Sequence, residues 1–343
     1  MGDYLTALER ECQRQVKTRQ TIDTLFLGGG TPSHLTVPAL ERLFAILNGW
    51  FDLAPGYEFS IEVNPAGLST EKMDLFQTAG INRISLGMQS FDDEILHTLE
   101  RDHRRADIDK VVPELRDRFD NISFDLIFGV PGESLSLWRE TLNRAVALAP
   151  QHLSTYGLTF EKGTDFWKRR EAGDFDQQPE ETEEEMYRVA MDYLPEAGYA
   201  QYEISNFARP GFECRHNRIY WNGYSYYGLG PGAARYLEGA RTTNHRSVFT
   251  WLKRTLAGES GDGESEELSP EEKARELAVI QLRTVPGIPI AEFHQRSGFD
   301  LFSLSDDVIE KYVRSGWLEV TETHVRLTKA GRFVADSLVV DFL

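Results

Sequence analysis

Along residues 21–205, short apolar runs alternate with amphipathic ones at the spacing that βα units require. Strands are expected at 21–27, 58–63, 82–88, 121–128, 152–159 and 201–205, and helices near 37–47, 71–79, 108–119, 135–148 and 183–196. Gly80 and Gly198 stand where C-terminal helix caps belong. Alternation alone leaves a doubly wound open sheet and a barrel equally available, and the polar residues inside the strands separate the two. Within 58–64, Phe59, Ile61 and Val63 share one face while Ser60, Glu62 and Asn64 share the other. A parallel strand covered by helices on both sides should be apolar on both faces, so a polar face marks an opening. Ser123 and Asp125 oppose Ile122, Phe124, Leu126 and Phe128 in the same way, as Arg83, Ser85, Gly87 and Gln89 oppose Ile84, Leu86 and Met88. Each polar group taken singly has a structural explanation, such as Glu62 paired to Arg83. Together they favour a ligand site in the lumen of an incomplete barrel.

Three consecutive glycines, Gly28, Gly29 and Gly30, end the first strand and lead into Thr31, Pro32 and Ser33. Without side chains there, a ligand can approach the main-chain N–H groups directly. The loop is neither the dinucleotide GxGxxG nor the GxxxxGK[ST] of nucleotide triphosphate sites, because no Lys follows and the next helix begins only near Thr36.

The formal net charge of −18 argues against non-specific nucleic-acid binding, which needs clustered Lys and Arg. Acidity concentrates at 180–185, expected to open a helix, and at 258–267, whose Gly, Ser and Glu content reads as a solvated linker. No apolar stretch approaches the ~20 residues needed to span a bilayer. The first residues lack the basic start and apolar core of a signal peptide, so a cytoplasmic location is expected. Cys12 and Cys214 are the only cysteines, which excludes a disulfide framework and any site of three or four thiolates from this chain.

The segments GGGTPSHL at Gly28, EVNP at Glu62, RISLGMQSF at Arg83, LERDH at Leu99, DLIFGVPGES at Asp125 and LTFEKGT at Leu158 follow one another in a specific order. In that order they resemble the radical S-adenosylmethionine family of oxygen-independent coproporphyrinogen oxidases and their HemW-type relatives, over nearly the whole chain. The resemblance implies an α/β fold with a partial (β/α)6 barrel. It also places S-adenosylmethionine against Gly29, Gly30 and Thr31, with Glu62, Gln89, Arg101 and Asp125 around it. Acidic groups suit the ligand's ammonium or ribose hydroxyls, and Arg101 suits a carboxylate. The family's [4Fe-4S] cluster needs a CxxxCxxC motif on a first strand upstream of the helix expected near 4–15. Both that strand and its thiols are absent here, so no cluster is expected on the chain as written. A start codon placed too far downstream and a real truncation are the two explanations, and loss of a structural strand, which opens a sheet edge, favours the first.

Residues 216–221, HNRIYW, match the HNxxYW pattern of the haem-chaperone members of that family. The resemblance makes His216, Asn217, Tyr220 and Trp221 haem-binding candidates, with Arg215 or Arg218 for propionates and His103, His245 or Cys214 as other iron ligands. An imidazole can ligate iron and aromatic rings can stack on a porphyrin. Arg101, His103, Arg104 and Arg105 read as a local basic patch.

After the acidic segment, Ser269 to Glu272 form a capping box with Pro at the first helical position, opening a helix to about Arg283. Further helices near 291–297 and 306–315, a hairpin at 317–322 and 324–328, and a last helix near 330–338 make a winged-helix-like module. Nine basic against twelve acidic residues from Ser269 onward speak against DNA binding there. The expected organisation is a barrel over 1–257, an acidic linker at 258–268 and a C-terminal module at 269–343. The resemblance implies a protein that delivers haem to respiratory or other haem proteins, with membrane contact only through such partners and no turnover by this chain. Radical decarboxylation of coproporphyrinogen III, if the chain starts upstream, and a degenerate S-adenosylmethionine binder are the alternatives.

Overall fold

The computed structural model describes residues 1–161 and 164–343; Lys162 and Gly163 of the LTFEKGT segment lie outside the described residues. Residues 25–37 and 58–213 form one compact unit, and residues 1–24, 38–57 and 214–343 form another.

The first of these units holds most of a seven-stranded sheet. Its strands are β1 (Gln20–Leu27), β2 (Phe51–Val63), β3 (Arg83–Gln89), β4 (Ile122–Phe128), β5 (His152–Gly157), β6 (Ala200–Gln201) and β7 (Asn206–Ala208), in the order β1-β2-β3-β4-β5-β7-β6. Pairing is parallel from β2 through β5, and β7 then joins both β5 and β6 antiparallel. The alternation read from the sequence decides the packing: Ile61, Ile84, Leu86, Met88, Phe124 and Leu126 are buried. Each such side chain contributes about 1.5–3 kcal/mol when fully buried. Helix Leu135–Ala147 follows β4 and buries Trp138, whose indole N–H donates to the Met186 carbonyl at 2.8 Å.

One expected strand lands on a turn. Residues 202–205 join β6 to β7, with Tyr202 N–H bonded to the Asn206 carbonyl and the buried Glu203 carboxylate accepting from Ser205 N–H. Mixed polar and apolar residues there gave no way to tell a strand from a buried turn.

The other unit contains helix Gly2–Gln15, the three-stranded sheet β10-β9-β8 and the C-terminal module. Strands β8 (Ala234–Leu237), β9 (Ala240–Asn244) and β10 (Asp262–Glu267) are antiparallel. Here the acidic linker expected at 258–268 is corrected, because 262–267 is a strand paired along its backbone to β9. Its side chains are almost all exposed, so composition read as solvation while the main chain was already paired. Acidic side chains on such an edge also discourage pairing with another chain. The two units meet along the chain after residues 24, 37, 57 and 213.

Helices Pro270–Leu282 and Ile290–Ser297 form as expected, with the Ser269–Glu272 capping box present, and the helix expected at 306–315 spans Leu301–Arg314 with a kink at Ser305. The hairpin of β12 (Leu318–Val320) and β13 (His324–Leu327) gains β11 (Ile288–Pro289) as a third strand. In place of one last helix, a short 3-10 turn at Gly331–Val334 precedes helix Ala335–Val339.

Candidate functional site

Two groups of side chains stand out, one in each unit. In the sheet unit, strand register sets the first. Glu62 lies beside Ser85, Ser85 beside Ser123 and Ser123 beside His152, while one step on Gly87 lies beside Asp125 and Asp125 beside Ser154. Parallel strands thus align polar residues of period two into two adjacent rows.

Asp125 is surrounded by hydroxyls: Ser154 donates at 2.7 Å, Ser85 at 2.8 Å and Ser123 at 3.3 Å. Burial pushes its carboxyl above the usual carboxylate range, opposed by those hydroxyls and by the Arg83 charge. Glu62 is pushed up to about 7 by burial and by Asp125, with the Gly29 N–H holding against the shift. Ser123 also shares a hydrogen bond of 2.7 Å with His152 Nδ1, and His152 Nε2 meets the Tyr202 hydroxyl at 2.8 Å. His152 is fully buried and held neutral, its pKa well below the ordinary value.

The glycine loop sits against Glu62. A Cβ on Gly28 would stand 2.5 Å from the Phe26 ring and 2.8 Å from the Glu62 carboxyl carbon, so only glycine fits. Gly29 adopts φ +79°, and a Cβ on Gly29 or Gly30 would meet nothing within 4 Å, leaving their backbone open to a ligand. Thr31 follows, its carbonyl accepting from His34 N–H as a 3-10 turn begins.

Gln89, the last residue of β3, takes φ +62° where the register to β4 shifts. Strain of this kind on a residue other than glycine collects at functional positions. Arg101 is half-buried, and its Nε has no hydrogen-bond partner; burial lowers its pKa. The segment carrying it is anchored near Gln89, because His103 Nε2 lies 3.1 Å from the Met88 carbonyl. The structure therefore brings Gly28, Gly29, Glu62 and Asp125 together and holds the Arg101 segment beside the end of β3.

Two expectations change here. Arg83 does not pair with Glu62; its guanidinium donates to Asn121 at 3.0 Å and to the Phe212 carbonyl at 3.4 Å. Nor does His103 belong to the basic patch expected at 101–105. His103 is buried and its pKa lowered, Arg104 donates to the carbonyls of Arg101 and His103, and Arg105 faces Asp109 at 3.6 Å. Ser154 and His152 were missed, although their alternation on β5 repeats that of Ser123 and Asp125.

In the other unit, HNRIYW forms most of helix Arg215–Trp221, capped by the buried Cys214. Both ring nitrogens of His216 are engaged: Nδ1 lies 2.8 Å from the Thr24 hydroxyl and Nε2 2.8 Å from the Tyr220 hydroxyl. Burial raises the Tyr220 phenol to about 12, and its ring meets Tyr226 edge-on. Asn217 is half-buried within the helix, Arg218 is exposed, and Arg215 donates to the Gly56 carbonyl. His245 lies just beyond β9, its backbone N–H bonded to the Gly261 carbonyl. Trp221 carries the Arg283 guanidinium over its ring, and its indole N–H has no acceptor. Tyr220 and Trp221 line a cavity of about 420 Å³ that also takes residues from β8, β9 and the helices at 270–282 and 290–297. Sequence reading missed those other lining residues, since nothing local marks them.

Among the described residues, no helix is long and apolar enough to cross a membrane, and no group of three His, Cys, Asp or Glu side chains is arranged to hold a metal ion. Cys12 and Cys214 are both buried, and burial pushes the Cys12 thiol up to about 12. A thiol of that kind is a poor source of thiolate.

Residues 5–145 match the Radical SAM superfamily and residues 268–334 the HemN C-terminal domain. The chain is 35% identical over 352 residues to Heme chaperone HemW of Bacillus subtilis (strain 168), covering 100% of this chain and 92% of that protein. It is 37% identical to Heme chaperone HemW of Synechocystis, over 85% of this chain and 72% of the relative. Radical S-adenosyl methionine domain-containing protein 1, mitochondrial, of Mus musculus is 31% identical, over 94% and 76% of the two chains. Among solved structures, coproporphyrinogen III oxidase (HemN) from Escherichia coli superposes with a TM-score of 0.87 at 21% identity, covering 99% of this chain and 82% of the other. The partial barrel and its C-terminal module are thus of the HemN fold.

Proposed function

Because the chain belongs to the HemW family of radical S-adenosylmethionine proteins, we propose that it binds haem in the cytoplasm and passes it to haem-accepting proteins. The observation that carries this reading is helix Arg215–Trp221, whose last two residues, Tyr220 and Trp221 of HNRIYW, line an aromatic cavity in a chain similar over its whole length to a protein named as a haem chaperone. Large flat rings suit the face of a porphyrin. His216 can ligate iron only by giving up its bond to Thr24 or to Tyr220.

S-adenosylmethionine fits the sheet unit. Gly29 and Gly30 offer open backbone, Glu62 and Asp125 suit its cationic and hydroxyl groups, and the unpartnered Arg101 Nε suits its carboxylate. Thr31 and Gln89 complete this reading at the ends of β1 and β3. In radical enzymes, the cofactor bound at a cluster supplies a carbon radical. The two buried thiols here do not fit a cluster, and the reading involves no step through one. The likeness to coproporphyrinogen III oxidase is one of fold and assigns no decarboxylation.

Titration of the purified protein with haem tests the reading: a saturable Soret shift is expected, followed by transfer to an apo-haem protein on mixing. A folded protein that leaves the Soret band of free haem unchanged would refute it.

A further inference from the structure

We infer that the cavity beside Tyr220 and Trp221 is a carboxylate-anchoring site for a planar aromatic acid, with Lys273 as the anchor. This rests on the haem-binding reading and specifies which contacts hold the ligand. The cavity, about 420 Å³, lies within the range of small-molecule sites. Its walls carry the rings of Tyr220, Trp221, Tyr224, Tyr226 and Tyr236. Five aromatic side chains around one opening suit a flat, apolar ligand face.

Charge gives the second half of the argument. Three cations, Arg241, Lys273 and Arg296, line the cavity against one carboxylate, Glu276, in a chain of net charge −18. Arg241 is already committed to Glu276 at 2.6 Å. Arg296 donates to the Asn222 carbonyl at 2.5 Å and to Glu292 at 3.3 Å, and its guanidinium lies 4.7 Å from the centre of the Tyr224 ring. Lys273 is half-buried and, among the described residues, has neither an ion pair nor a hydrogen-bond acceptor for its ammonium. A Cβ on Gly239 would stand 2.8 Å from that nitrogen, so the glycine leaves the space the ammonium occupies. An ammonium that lines the cavity without a counterion leaves a place where a ligand carboxylate can pair.

His216 completes the case by what it does not offer. With Nδ1 on Thr24 and Nε2 on Tyr220, it acts as a positioning residue for the Tyr220 ring in the cavity wall. Binding then comes from ring contacts and the carboxylate anchor, and iron is not required for affinity.

The test compares haem, iron-free protoporphyrin and the dimethyl ester of that porphyrin, titrated against the full chain by quenching of tryptophan fluorescence. Haem and the iron-free diacid should bind within about threefold of one another, and the ester at least about tenfold more weakly. Lys273→Met should weaken the diacid by about the same factor without affecting the ester, and Lys273→Arg should restore most of the loss. Circular dichroism checks that each variant is folded. Tight haem binding with no binding of the iron-free diacid would overturn the inference and assign affinity to iron ligation, leaving the haem-binding reading intact. Equal affinities for wild type and Lys273→Met would overturn it as well. Failure of every porphyrin to bind a folded protein would remove both.

Discussion

Replacing Glu62 by Gln should alter how stability depends on pH. Burial and Asp125 push the Glu62 carboxyl from 4.5 up to about 7. The unfolded chain gives up this proton at the lower value and the folded chain only near the upper one. Between them the folded protein holds the extra proton, and the slope of unfolding free energy with pH is negative: stability falls as pH rises, then levels off above about pH 7. At about 1.4 kcal/mol per pH unit the interval amounts to about 3 kcal/mol, which partial exposure of the side chain reduces to about 2 kcal/mol. Gln fills the same space against Gly28 and keeps an acceptor for the Gly29 N–H, so the variant isolates the charge. Urea unfolding of both proteins at about pH 5 and pH 8 measures the effect. The variant should gain about 2 kcal/mol on wild type between the two conditions. A stability difference that stays constant with pH would refute the reasoning and place the Glu62 titration in the ordinary carboxylate range.

Asp125→Ala removes the acceptor of three serine hydroxyls and should weaken S-adenosylmethionine binding by about 1–3 kcal/mol; unchanged affinity by calorimetry would restrict Asp125 to holding the strands. Tyr220→Phe removes the hydroxyl that meets His216 Nε2, so the haem complex of the variant should show a Soret band shifted toward a histidine-ligated form, and spectra identical to wild type would mean that this hydrogen bond does not withhold the imidazole from iron.

The strand and helix pattern of the sheet unit was legible because period two and period 3.6 are local properties, and β1, β3 and β4 fall within about a residue of their expected limits. The polar faces were legible for the same reason, and the register of β2, β3 and β4 turns them into one cluster. What stayed hidden depends on partners far along the chain. β10 reads as linker because its side chains are acidic and exposed, and only its pairing with β9 makes it a strand. His103 reads as part of a cationic surface until the Met88 carbonyl buries it. Lys273 lies on a solvated-looking helix start, and its place in the cavity follows from the separate segments that supply Tyr220, Gly239 and Arg296.

His216 shows how motif and geometry divide the work. The HNRIYW pattern marks the right helix, and by residue type the imidazole is the natural iron ligand in it. In the fold, that imidazole joins β1 at Thr24 to the helix and aims the Tyr220 ring at Tyr226. On the proposed function, a protein that releases its cargo would gain from this arrangement. Ring contacts and a carboxylate pair are each modest and separable, whereas an iron–nitrogen bond would have to break before transfer. Holding the histidine in hydrogen bonds keeps ligation as a state reached by rearrangement, and the Tyr220 hydroxyl is the group whose movement would permit it.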